Sequence, residues 1–131
     1  MALAFSEEWA AAWCRLLNAS EEYAAAAHAW EGSVVLRVRS SSSAVFLDLH
    51  HGRCRAARVA TDIDVAGAAF IFEADIGVWK SLLQNQSNPI LALMTGRLEL
   101  ARGEFGRLLP YANAAKELLH LVTEIDTEFD D

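Results

Sequence analysis

The spacing of apolar positions along the chain changes three times, and each change marks a new kind of element. Phe5, Trp9, Ala12, Trp13 and Leu16 recur at helical spacing behind Ser6, a good N-cap, with Glu7 and Glu8 at the positive end of the helix dipole. Ser20 with Glu21 and Glu22 repeats that start signal. Tyr23, Ala26, Ala27 and Trp30 then line a second predicted helix, ended by Gly32. From residue 33 the period falls to two. Val34, Leu36 and Val38 alternate with Val35, Arg37 and Arg39; Ser40 to Ser43 turn; Val45, Leu47 and Leu49 alternate with Phe46, Asp48 and His50. His51 and Gly52 turn into a third strand over 53–60, on which strict alternation puts Arg53 and Arg55 on one face and Arg58 on the other. Three such strands predict an antiparallel meander.

Thr61 to Gly67 reads as a loop, and a fourth strand follows from Ala69 to Ala74. Helical spacing then returns behind Asp75, with Ile76, Trp79, Leu82 and Leu83 on one side. Asn88 followed by Pro89 opens a short helix carrying Ile90, Leu91, Leu93 and Met94. After Gly96 a fifth strand is expected over 97–101. Pro110 starts a closing helix with Tyr111, Ala114, Ala115, Leu118, Val122 and Ile125 as its apolar stripe. The charged end, 126–131, is expected to fray. The chain is thus α+β and reads as one domain over 1–131: N-terminal helices at 5–31, sheet and helices at 33–125, and an acidic tail.

Composition narrows the function. At 131 residues and 53% apolar, the chain can bury a core of its own, and no run approaches a membrane span. The N-terminus lacks the basic region of a secretory signal, so a cytoplasmic setting and reduced thiols at Cys14 and Cys54 are expected. A net charge of −7 argues against nucleic acid as a partner. The positive charge concentrates in the meander, where residues 33–60 hold five arginines and one acid. It reads either as a solvated face or as a site for an anionic head group.

Little in the sequence points to catalysis. His50 and His51 are adjacent on a strand and should point to opposite faces, so a shared metal is not expected. Arg53 and Arg55 flank Cys54 and would favour its thiolate, yet no histidine is placed as its base. Asp62 and Asp64 sit in a connecting loop and read as solvated or capping residues. There is no phosphate-binding glycine loop, nucleophile elbow or zinc pattern. Neither an enzyme nor a cofactor is expected. Four tryptophans and six phenylalanines are a large apolar supply for one small sheet. The two helices after the fourth strand add more, and such a surplus suits helices wrapped around a guest.

The stretch FIFEADIGVWKSLLQNQSNPILALMTGRLELARGEFGRLLPYANAAKELL, residues 70–119, resembles the sterol carrier protein 2 family. The carriers of the resemblance are an acid opening a helix with an aromatic anchor and paired leucines (Trp79, Leu82, Leu83), the Asn88-Pro89 helix start, and the late glycine-flanked strand of TGRLELARGEF. The meander with FLDLHHGRC fits the same element order over about residues 20–125. The resemblance implies a five-stranded mixed sheet with helices on one side enclosing a hydrophobic tunnel. The late strand would complete the sheet edge. It implies a carrier for a fatty acid, fatty acyl-CoA, sterol or isoprenoid-like ligand, held by Trp30, Leu36, Phe70, Phe72, Trp79, Leu82, Leu83, Leu91, Met94, Phe105 and Leu118. Arg37, Arg39, Arg53 and Arg55 are the head-group candidates. The closing helix is expected to act as a lid. An accessory module that presents a hydrophobic substrate to a partner enzyme, with a transient membrane contact or a homodimer, is the alternative reading. A ketosteroid-isomerase-like enzyme is a third, against which the long final helix counts.

Overall fold

The structure, a computed structural model, describes residues 2–39, 41–84 and 86–129. Ser40, the first residue of the expected turn, and Asp130 and Asp131 of the tail lie outside the described residues. Helices α1 (Glu7–Ala19) and α2 (Glu21–Ala26) begin where their caps predict: the Ser6 hydroxyl accepts from the Trp9 amide and the Ser20 hydroxyl from that of Tyr23. The second helix stops at Ala26 rather than at Gly32, and Gly32 instead pairs with Leu49 inside a strand.

The central sheet contains β2 (Glu31–Val38), β3 (Ala44–His50), β4 (Arg53–Val59), β5 (Phe70–Ala74) and β6 (Glu99–Arg102), in the order β4-β3-β2-β5-β6. Within this sheet β2 and β5 pair in parallel, and the other neighbours are antiparallel. This is the five-stranded mixed sheet expected. β6 returns antiparallel to β5 and completes that edge. Helices α4 (Ile76–Leu83), α5 (Pro89–Met94), α6 (Phe105–Leu108) and α7 (Ala112–Val122) complete the chain's second half. Val34, Leu36, Val38, Leu47, Leu49 and Phe72 turn inward onto the helices, joining Trp9, Trp13, Trp30 and Trp79 in one buried cluster. Phe5, Trp9 and Trp13 stand in a continuous aromatic row, with centroids 5.1 and 5.3 Å apart.

Four expectations are corrected. The segment after β4 is not a loop but a helical turn, α3 (Asp62–Gly67). Thr61 and Asp64 form a capping box there, and α3 packs on the opposite sheet face with Val35, Ala44 and Ile71. A bulge between Asp48 and Leu49 leaves Arg55 as an extra residue on β4, which resets the alternation. Arg58 therefore shares the outer face with Arg55: its guanidinium lies 4.5 Å from the Phe46 ring centroid, while Arg55 reaches Asp48 at 3.2 Å. The C-terminal end is not frayed over its described residues. β7 (Thr127–Glu128) pairs in parallel with β1 (Ala2–Leu3), and the Trp9 indole donates to Thr127. Finally, Cys14 and Cys54 are joined in a disulfide, with Cα atoms 5.4 Å apart, because α1 packs across β4. The expectation of two reduced thiols rested on the lack of a secretory signal, which does not register that packing.

Candidate functional site

Apolar side chains from both layers meet in an enclosed space behind the sheet. Leu36 of β2, Phe72 of β5 and Leu98, just before β6, form its floor. Trp79 of α4, Pro89, Ile90 and Leu93 of α5, and Ala115, Leu118 and Leu119 of α7 form its walls and roof. The strand residues reach it because alternation aims every second side chain at the helices. Trp79 is held by its indole N–H, which donates to the Arg37 carbonyl at 2.9 Å, and by an edge contact with Phe5. No polar group of the described residues lines the space, and its free volume is only about 10 Å³. That is no more than a single water requires. The space as it stands is closed.

Larger grooves among the described residues are open to solvent. One of about 520 Å³ runs between the α4–α5 connection and α7, lined by Leu82, Gln86, Ser87, Asn88, Lys116, Glu117 and His120, and it shares Pro89 and Leu119 with the enclosed space. A groove of about 390 Å³ at the far end of the sheet is bordered by Trp30, Glu31, Phe70, Gly103, Arg107 and Tyr111, with Trp30 stacked on Tyr111 at 6.0 Å. The third, about 460 Å³, lies beside Phe5, Val38, Arg39, Ile76 and Phe129.

The sequence-predicted ligand residues therefore scatter. Leu36, Phe72, Trp79 and Leu118 meet at the enclosed space, Leu82 borders the groove beside it, and Trp30 and Phe70 lie at the far groove. Leu83 is buried in the core next to them. Phe105 is exposed on α6. Leu91 and Met94 do not face inward: they are 59% and 71% exposed, because a six-residue α5 turns only Ala92 fully into the protein. Ala115, Leu119, Ile90, Leu93 and Leu98 line the space without having been singled out. The i, i+3, i+4 relation of Ala115, Leu118 and Leu119 on α7 was the signal available for part of that set.

The four head-group candidates lie away from the apolar space. Arg37 pairs with Glu73 at 2.6 Å, its cross-strand partner in the parallel register. Arg39 reaches Glu73, Asp75 and Glu99 at 3.6 to 3.8 Å, Arg55 pairs with Asp48, and Arg53 is exposed. Arg58, outside that set, holds Asp64 through two nitrogens at 2.7 and 3.0 Å. That contact, with the Thr61 amide, pulls the Asp64 carboxyl down to about 2. Of the two expected roles Asp64 takes the capping one, and its contact with Arg58 makes it a structural clasp. Burial pushes the Tyr23 phenol upward, and its hydroxyl, like the Trp30 indole N–H, is buried without a partner among the described residues. His50 and His51 also depart from expectation: their rings lie together, centroids 4.3 Å apart, with Glu31 beside them.

Comparison with known proteins gives a consistent picture. The SCP-2 sterol transfer family pattern matches residues 12–106. A crystal structure of sterol carrier protein 2 is 45% identical, with a TM-score of 0.86 over 93% of this chain and 98% of that one. The solution structure of a conserved hypothetical protein from Thermus thermophilus, described as a candidate sterol carrier protein, is 42% identical with a TM-score of 0.81, covering 95% and 90%. Sterol carrier protein 2 from Yarrowia lipolytica in its apo form, at 15% identity and a TM-score of 0.57 over 86% and 88%, shares the fold. So does a ubiquinone synthesis protein, UbiJ-SCP2, at 15% and 0.56 over 82% and 85%. No protein of curated function matches the sequence. Among the described residues no helix is long and apolar enough to cross a membrane.

Proposed function

The chain belongs to the SCP-2 sterol transfer family, a family of lipid carriers, and on that premise we propose that it takes the apolar part of a single lipid between its sheet and helices α4, α5 and α7. The supporting observation is the enclosed space itself: buried apolar walls drawn from both layers, with no polar atom of the described residues, next to an open groove. Fatty acids, fatty acyl-CoA, sterols and isoprenoid-like molecules all meet that chemistry.

With about 10 Å³ free, a lipid enters only if a wall moves. The wall that gives way most readily is α5. It buries one residue completely, spans six residues, and is joined to α4 by a short polar connection. α7 is a poorer candidate for the lid expected from its terminal position. Ala114, Leu118 and Val122 are buried, and the Trp13 indole donates to its Leu118 carbonyl at 2.9 Å. Outward movement of α5 draws Pro89 away from Leu119 of α7 and merges the space with the 520 Å³ groove. Leu91 and Met94, exposed on the outer side of that helix, then meet the lipid surface or the protein that delivers the guest.

The expected affinity follows from area. Burying about 400 Å² of acyl chain or ring is worth roughly 10 kcal/mol, and ordering takes back about 4, leaving about 6 kcal/mol and a dissociation constant of tens of micromolar. Selectivity among chain lengths should be low, since one methylene changes little. Titration with a fluorescent fatty acid tests the binding, and amide exchange tests the route. One lipid per chain, with exchange altered over 84–96 and little changed in β2–β4, supports the reading. No binding at several hundred micromolar ligand, or altered exchange confined to α7, overturns it.

A further inference from the structure

The turn between β3 and β4 brings three metal-ligating side chains together in a way that strand alternation does not anticipate. β2 and β3 pair in the register that sets Glu31 opposite His50. The next residue, His51, leaves the strand with φ of 49°, and this left-handed step swings its ring to the side that His50 occupies. The turn is well held. The His51 amide donates to the Trp30 carbonyl at 2.8 Å. Gly52 follows at φ of 86°, packed so closely on α2 that a Cβ there would lie 2.7 Å from the Ala24 carbonyl oxygen.

The polar atoms are arranged as ligands rather than as a hydrogen-bonded set. His51 Nδ1 lies 3.0 Å from the His28 carbonyl oxygen, so Nδ1–H donates there and the Nε2 lone pair stays free. That Nε2 is 3.4 Å from one Glu31 carboxylate oxygen. His50 Nδ1 is 3.9 Å from the other, and it is buried without a hydrogen-bond partner among the described residues. One ligand atom from each of the three residues lies within 4.8 Å of the others. Both carboxylate contacts are too long for good hydrogen bonds. The shorter matches the separation of about 3.4 Å between two ligands of a tetrahedral ion with bonds near 2.1 Å, and the longer exceeds it by about 0.5 Å.

We propose that Glu31, His50 and His51 form a binding site for one divalent transition-metal ion of the zinc type, with water in the remaining position. Two imidazoles and a carboxylate suit zinc, nickel or cobalt rather than the hard ions calcium and magnesium. Arg53, the cross-strand partner of His50, adds a neighbouring positive charge and keeps affinity moderate. The site is separate from the lipid space and does not depend on the lipid-binding reading.

The test uses tag-free full-length protein, titrated calorimetrically with zinc chloride and followed spectroscopically with cobalt chloride. The expected result is one ion per chain, with the strong visible absorption of four-coordinate cobalt. Glu31→Gln, His50→Ala and His51→Ala should each weaken zinc binding about tenfold or more, and His120→Ala should not change it. Thermal denaturation without metal checks that each variant folds. If one does not, zinc-induced NMR shifts of the His50 and His51 ring protons in the unaltered protein decide the matter. Absence of stoichiometric binding, binding that survives the three substitutions, or ring protons unmoved by zinc overturns the proposal.

Discussion

Ala115→Leu asks directly whether the enclosed space is where a guest goes. Ala115 is buried on α7 and faces the space beside Leu118. The new side chain brings three more carbons into about 10 Å³ of free volume, so it cannot be absorbed without displacing a wall. Each buried carbon would add about 0.8 kcal/mol if it fitted. Overpacking a closed core instead costs about 1–3 kcal/mol net. For 131 residues at about 2.1 cal/mol/K each, that lowers Tm by about 4–11 °C. The same atoms occupy the volume a lipid would take, so affinity for a fluorescent fatty acid should fall at least about tenfold, or about 1.4 kcal/mol. Val45→Ala serves as the comparison, since Val45 is buried on β3 outside this lining: it should lower Tm while leaving affinity unchanged. A leucine variant that loses stability as expected yet binds the fatty acid as tightly as the parent would refute the assignment of the space.

Three further outcomes are expected. The Cys14–Cys54 bridge closes a loop with a sequence separation of 40, worth up to about 4 kcal/mol by chain entropy, so reduction should lower the free energy of unfolding in urea by about 2–4 kcal/mol. Equal stability with and without reductant, or two alkylatable thiols in the oxidised native protein, contradicts it. Asp64 has a folded-state pKa of about 2 against an ordinary 3.8, so its contribution is present above pH 3.8 and is lost as pH falls towards 2. Since the Arg58 guanidinium is partly solvated, that contribution is at most about 2 kcal/mol, and Asp64→Asn should flatten the stability profile across this window. An unaltered acid limb in the variant would remove Asp64 as its cause. Tyr23→Phe deletes a buried hydroxyl that has no partner among the described residues, and should leave stability unchanged or raise it by about 1 kcal/mol. A loss greater than that, measured by chemical denaturation, would mean that the hydroxyl is satisfied in solution.

Local periodicity determined much of this protein. Alternation at Val34, Leu36 and Val38 decided both that β2 is a strand and which of its faces meets the helices. Ser6, Ser20 and Asn88 marked helix starts because a cap needs only its own next three residues. The order of elements carried the mixed sheet, since a strand between two helices late in the chain has an edge of the sheet to complete. Other features depended on contacts remote in sequence. The bulge at β4 moved Arg58 to the face of Arg55, because register is set by the neighbouring strand and one extra residue inverts every side chain beyond it. Packing of α1 across β4 brought Cys14 to Cys54. Pairing of β7 with β1 tied down an end that composition alone marks as loose. The positive φ at His51 gathered two rings that alternation would separate. On α5, a helix too short to define its own apolar stripe, only the neighbouring sheet and α7 decided that Ala92 turns inward while Leu91 and Met94 remain in solvent. Periodicity orients a residue relative to its own element, whereas burial and side-chain encounter depend on where the other elements settle.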